Sequence, residues 1–161
     1  GNLYLNNMEG EISAYSASGN INAEEIRGNF NAKTTNGKIS VEDSDGEIRL
    51  RSVTGEIEAS EGRGTFIAAT TTGDISATLF SVGRGSYVET VTGSVSLSLP
   101  AELNYALQVS GSSVDISDLL ERREFEGNVQ RELANVVIGS GSIPIQVSSV
   151  TGNVIIKTGS N

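Results

Sequence analysis

Residues 37–54 read Gly37-Lys38-Ile39-Ser40-Val41-Glu42-Asp43-Ser44-Asp45, then Gly46-Glu47-Ile48-Arg49-Leu50-Arg51-Ser52-Val53-Thr54. Each half opens on glycine, places apolar residues two and four positions later, and closes on four residues that are polar except for Val53. The same step runs outward in both directions, through Gly1, Gly10, Gly19 and Gly28 on one side and Gly55, Gly64 and Gly73 on the other. A large apolar residue follows at Gly+2 in nearly every unit: Leu3, Ile12, Ile21, Phe30, Ile39, Ile48, Ile57, Phe66 and Ile75. Alternation of apolar and polar residues is the two-residue period of a half-buried strand. A strand of about five residues cannot bury its apolar face alone, so like units must stack.

Alternate units differ. The residues before Gly19, Gly37, Gly55 and Gly73 are small and hydroxylated (Ser16-Ala17-Ser18, Thr70-Thr71-Thr72), whereas those before Gly28, Gly46 and Gly64 are charged. The structural period is therefore eighteen, two nine-residue sides to a coil. This predicts an all-β, right-handed parallel β-solenoid with two-sided coils, the hand following from the crossover rule for parallel strands. Eight or so coils at about 4.8 Å would make a rod roughly 40 Å long.

The whole chain, 1–161, reads as one domain. Residues 1–80 form the regular stack, 81–117 irregular coils, 118–135 a charged insert, and 136–161 closing coils. In the irregular part, Tyr87 falls at Gly+2 of Gly85, a core slot. The insert reads as a loop with at most a turn or two of helix, lying as a lid over the solenoid side. The chain opens inside a repeat, as expected of a piece of a longer protein.

With 20 acidic against 11 basic residues the net charge is −9, which disfavours nucleic acid as a partner. The chain contains no cysteine or histidine, which removes thiol chemistry and the commonest general base. No apolar run reaches the ~18–20 residues of a membrane span. No cofactor is expected.

The segments Thr34-Thr35-Asn36-Gly37-Lys38-Ile39-Ser40-Val41, Ser52-Val53-Thr54-Gly55-Glu56-Ile57-Glu58-Ala59 and Val91-Thr92-Gly93-Ser94-Val95-Ser96-Leu97 resemble the repeats of the bacterial adhesin-like β-strand-repeat family. Leu99-Pro100, the alternating residues 107–111 and the closing segment 139–154 are similar to it as well. The resemblance covers essentially the whole chain and implies a β-solenoid without a defined active site. It also implies an exported or envelope-associated protein acting as a non-enzymatic binding or structural module, with a surface glycan or protein as partner. A self-assembling spacer that stacks through its end coils, giving a homo-oligomer, is the alternative. A polysaccharide-active enzyme using acids such as Glu102 or Asp115 is more distant.

Three constellations stand out. Glu25, Asp43 and Glu61 recur at the eighteen-residue period and would suit a Ca²⁺ with its preference for oxygen. The alternating column Arg27, Asp45, Arg63 beside them favours a solvated turn instead, as does the absence of a calcium-roll motif. The hydroxyl columns (Ser16, Thr34, Ser52, Thr70, Thr90 and their neighbours) could order water, but stacked hydroxyls more simply bond each other and the turn backbone. Gly139-Ser140-Gly141-Ser142 lacks the lysine of a phosphate loop and reads as a turn. Tyr4 at Gly+3 and Tyr15 at Gly+5 point outward by parity and are the candidate ligand-docking residues.

Overall fold

A computed structural model describes residues 1–100, 104–116, 125–129, 133–138 and 143–159. These residues are all-β, without helix, and wind into a parallel β-solenoid of about five regular turns. Two long strands open it, β1 (Leu3–Ser18) and β2 (Ile21–Asn36), each running through both sides of one coil. Beyond them the sides separate. Side A continues through β3 (Ile39–Asp45), β5 (Ile57–Arg63), β7 (Ile75–Leu79) and β9 (Val95–Pro100). Side B continues through β4 (Ile48–Thr54), β6 (Phe66–Thr72) and β8 (Ser86–Thr92). The pairing register Leu3–Ile21–Ile39–Ile57–Ile75 keeps the eighteen-residue step that the sequence predicts.

The core is the two rows of Gly+2 and Gly+4 residues facing each other, with Ile21, Ile39, Ile57, Phe30, Ile48 and Phe66 all buried. On side B a third inward position holds a hydroxyl. Ser16, Thr34, Ser52, Thr70 and Thr90 donate to the carbonyls of Gly1, Gly19, Gly37, Gly55 and Gly73. Each hydroxyl thus satisfies a turn carbonyl that strand pairing leaves over. This inner column is consequently not a water-facing array.

On side A the corner is made differently. Asn7, Glu25, Asp43 and Glu61 have φ of 52°, 54°, 48° and 55°. The cross-strand register skips them, passing from Asn6–Glu24 directly to Met8–Ile26. The left-handed residue turns the strand so that Ile26, Ser44 and Gly62 point inward beyond it. Leu79 fills the room above Gly62, where a Cβ would lie 2.8 Å from its Cδ2.

The later chain departs from the expected order. After β9 the backbone rises to β10 (Tyr105–Ser110) and β11 (Ser113–Asp115), leaving a rung empty on each side. It then forms β12 (Phe125–Val129) and β13 (Leu133–Ile138), and returns as β14 (Ile143–Thr151) and β15 (Asn153–Gly159). β14 lies between β8 and β10, and β15 between β9 and β11, all parallel. The C-terminal segment therefore does not close the end of the rod. It fills the vacant rung, because Ile145, Val147, Val154 and Ile156 repeat the inward spacing of the coils on either side.

The charged insert is also corrected. Its described part is neither helical nor a lid: β12 and β13 form an antiparallel pair, and β13 runs antiparallel along β10. An open strand edge has unpaired N–H and C=O groups that a following segment can satisfy, and this one extends the side-B sheet at its far end. Residues 118–124, 130–132 and the 139–142 segment, which the sequence reads as a turn, lie outside the described residues.

Candidate functional site: the side-B face

The parallel register sorts the charges. Side-A segments through residue 81 hold Glu9, Glu24, Glu25, Glu42, Asp43, Asp45, Glu56, Glu58, Glu61 and Asp74 against Arg27, Lys38 and Arg63. Side-B segments through Thr92 hold Glu11, Glu47 and Glu89 against Lys33, Arg49, Arg51 and Arg84. The excess acid of the regular stack therefore sits on side A. Side B is balanced.

On side A the cations are spent on neighbours. Arg27 grips Asp43 with both nitrogens, Nη2 to Oδ2 at 2.9 Å and Nη1 to Oδ1 at 3.3 Å, and Arg63 Nη1 reaches Oδ1 at 3.3 Å. The hydrogen bond from Arg27 holds the Asp43 carboxyl below the ordinary aspartate range and raises the guanidinium in return. Asp45, which the sequence reading paired with these arginines, is not the ion-pair partner. The corner residue two positions earlier presents its carboxylate to both guanidiniums. Lys38 binds Glu58, whose hydrogen bond raises the ammonium, and Arg63 lies 5.2 Å from the Phe80 ring centroid. Both Asp43 oxygens in the candidate calcium column are thus engaged by arginine. Among the described residues no three His, Cys, Asp or Glu side chains gather as a metal site.

Tyr4 and Tyr15 are 75% and 62% exposed. They lie on opposite sides, Tyr4 beside Asn22 on side A and Tyr15 beside Lys33 on side B, so they cannot belong to one local site. Asp115 ends β11; Glu102 lies outside the described residues.

Side B carries the more substantial feature. Its outward Gly+5 column runs Tyr15, Lys33, Arg51, Ala69, Glu89 from rung to rung. Ala69 leaves a gap between Arg51 and Glu89, and a hollow of about 350 Å³ opens there. Tyr87 lines it and donates its hydroxyl to Glu89 Oε2 at 2.9 Å, while Val53, Thr71 and Val91 form one rim. Burial first, and then the bond to Glu89, raise the Tyr87 hydroxyl above its ordinary value. Thr34, Ser52 and Thr70 lie behind the hollow with their hydroxyls already given to glycine carbonyls. A second recess of about 230 Å³ lies on the same face around Asn29 and Asn31.

The expectation for Tyr87 is overturned. Counting forward from Gly85 puts it in a core slot, yet it pairs with the outward Ile67, and Ser86 takes the inward position. The step between Gly73 and Gly93 is two residues longer than the others, and the extra length lies before β8. Counting back from Gly93, as Ile67 counts back from Gly73, gives the observed direction.

A stack of parallel coils with an open lateral face defines a β-solenoid repeat protein. The family described as Toastrack DUF4097 matches residues 1–157, and the chain belongs to it, a repeat-type domain of unknown function. No curated protein and no solved structure matches. The family description names no adhesion role.

Proposed function

We propose that the chain is a non-enzymatic, adhesin-like binding module of the bacterial cell envelope that engages its ligand through side B. The observation that carries this reading is the hollow at Ala69. It offers two cations, a carboxylate and an aromatic ring on a rigid ladder, in a chain whose net charge is −9. Ligand sites are concave, with a few polar groups fixed by the scaffold. In the regular stack the side-A cations Arg27, Lys38 and Arg63 are instead held by carboxylates.

Co-sedimentation of the labelled chain with isolated envelope tests the reading. Saturable binding is expected, weakened by Arg51→Glu and retained by Glu58→Gln on side A. Absence of binding by the unaltered chain at micromolar concentration would reject it, as would equal loss in both variants.

A further inference from the structure

Lys33 and Arg51 are directly opposed cross-strand partners on adjacent rungs, about 4.8 Å apart along the ladder. Like charges placed opposite one another destabilise a sheet. Among the described residues neither has a carboxylate within ion-pair distance, although Arg27, Lys38, Arg49 and Arg63 all do. The next rung supplies no relief either, since it carries Ala69, and Glu89 follows one rung further on. The result is a pair of free cations at one end of a hollow, and at the other a carboxylate with a tyrosine bonded to it.

We infer that this hollow binds a carboxylate-bearing saccharide, a deepening that rests on side B being the binding face. Each group has a matching part on such a ligand. The Arg51 fork and the Lys33 ammonium take the sugar carboxylate, guanidinium matching it in two parallel hydrogen bonds. Tyr87 offers its ring to the C–H face of the sugar, and Glu89 accepts from sugar hydroxyls. A doubly charged phosphate fits less well, because Glu89 faces the same space and repels the second charge. The hollow is open along the side of the rod, so an oligosaccharide can pass through it without a free end. Tyr15, next to Lys33, extends the same strip by one rung.

The test is an amide-resolved NMR titration of the isotope-labelled chain with trigalacturonate, its methyl ester and inorganic phosphate. Saturable shifts centred on Lys33, Arg51, Ala69 and Tyr87 are expected with the acid. The neutral ester should bind roughly tenfold more weakly or worse, as the loss of a charge-assisted contact predicts. Arg51→Gln and Tyr87→Leu should each weaken the acid by a similar factor. Both side chains are lateral, so unchanged amide spectra on side A verify that the fold is retained. Arg51→Lys should recover part of the loss. Equal binding of acid and ester, phosphate binding as tightly as the sugar, or no shift at millimolar trigalacturonate would each overturn the inference. If the chain binds envelope and loses it on Arg51→Glu while trigalacturonate causes no shift, the saccharide assignment falls and the binding face stands. If envelope binding fails as well, both fall.

Discussion

Gly152 stacks directly on Gly93, continuing a column of turn glycines although a whole chain excursion separates the two in sequence. A Cβ at Gly152 would overlap the Gly93 carbonyl oxygen, and Ser149 donates its hydroxyl to that same oxygen at 2.8 Å. The turn that leads into β15 is thus built like those of the regular coils, from a segment made last. β10 and β11 cannot rest on the first coils until β14 and β15 occupy the rung between them.

A chain ending at residue 142 should therefore keep its first coils and lose its last. Hydrogen exchange is the direct measurement. Amides of β2 to β6 should stay protected, while those of β10 and β13 should exchange freely, because nearest-neighbour stacking is what stabilises each rung. Adding the peptide 143–161 should restore protection to β10. Uniform loss of protection would mean that the solenoid folds only as one unit.

Glycine is required at Gly73 for two reasons, its φ of +147° and the Gly55 carbonyl against which a Cβ would press. Gly10, in the first coil described, has φ of +104° but nothing within 4 Å of an added Cβ. Gly73→Ala should cost about 3 kcal/mol or more, and Gly10→Ala about 1 kcal/mol, when strain alone is counted for the latter. Urea unfolding of the two variants measures the difference. Equal costs would show that close stacking of the turns adds nothing.

Thr90 is completely buried and its hydroxyl donates to Gly73 O at 3.1 Å. Thr90→Val keeps the shape but leaves the carbonyl short of a partner, at a cost of about 1–2 kcal/mol. Thr90→Ser should retain the bond and lose only a methyl contact. A larger loss for serine than for valine in denaturant unfolding would show packing, not the hydroxyl, to matter at this position.

The pH dependence of Asp43 follows from its arginine contacts. Its carboxyl is lowered in the folded chain, principally by the Arg27 hydrogen bond. The stabilisation is thus fully present above the unfolded aspartate value of about 3.9, and is lost as pH falls through the lower folded value. Asp43→Asn removes the charge yet suits the left-handed corner, so its stability should vary less than the parent's below about pH 4. Asp43→Ala should be the less stable variant at neutral pH. Carboxyl NMR titration and unfolding at both ends of that range check the sign, and a carboxyl titrating at or above the ordinary value would refute it.

The repeat was legible because every coil imposes the same local demands. A glycine is needed where turns stack, apolar residues where the two sheets face, and a hydroxyl where a turn carbonyl needs a donor; these recur at fixed spacing from Gly1 to Gly73. Outward parity for Tyr4 and Tyr15 followed from the same count. Tyr87 was misplaced by that count, because added residues shift the register and only the partner strand defines which face is inward.

Sequence by itself determined the class of fold, the eighteen-residue coil and the core rows, since these follow from short-range periodicity. Tertiary structure decided the rest. Pairing alone assigned Phe125–Val129 and Leu133–Ile138 to strands, placed β14 and β15 inside the stack, and opposed Lys33 to Arg51 with a gap at Ala69. The physical reason is that a strand's neighbours come from other parts of the chain. The backbone groups of an open rung accept any segment of matching inward spacing, wherever it lies in the sequence.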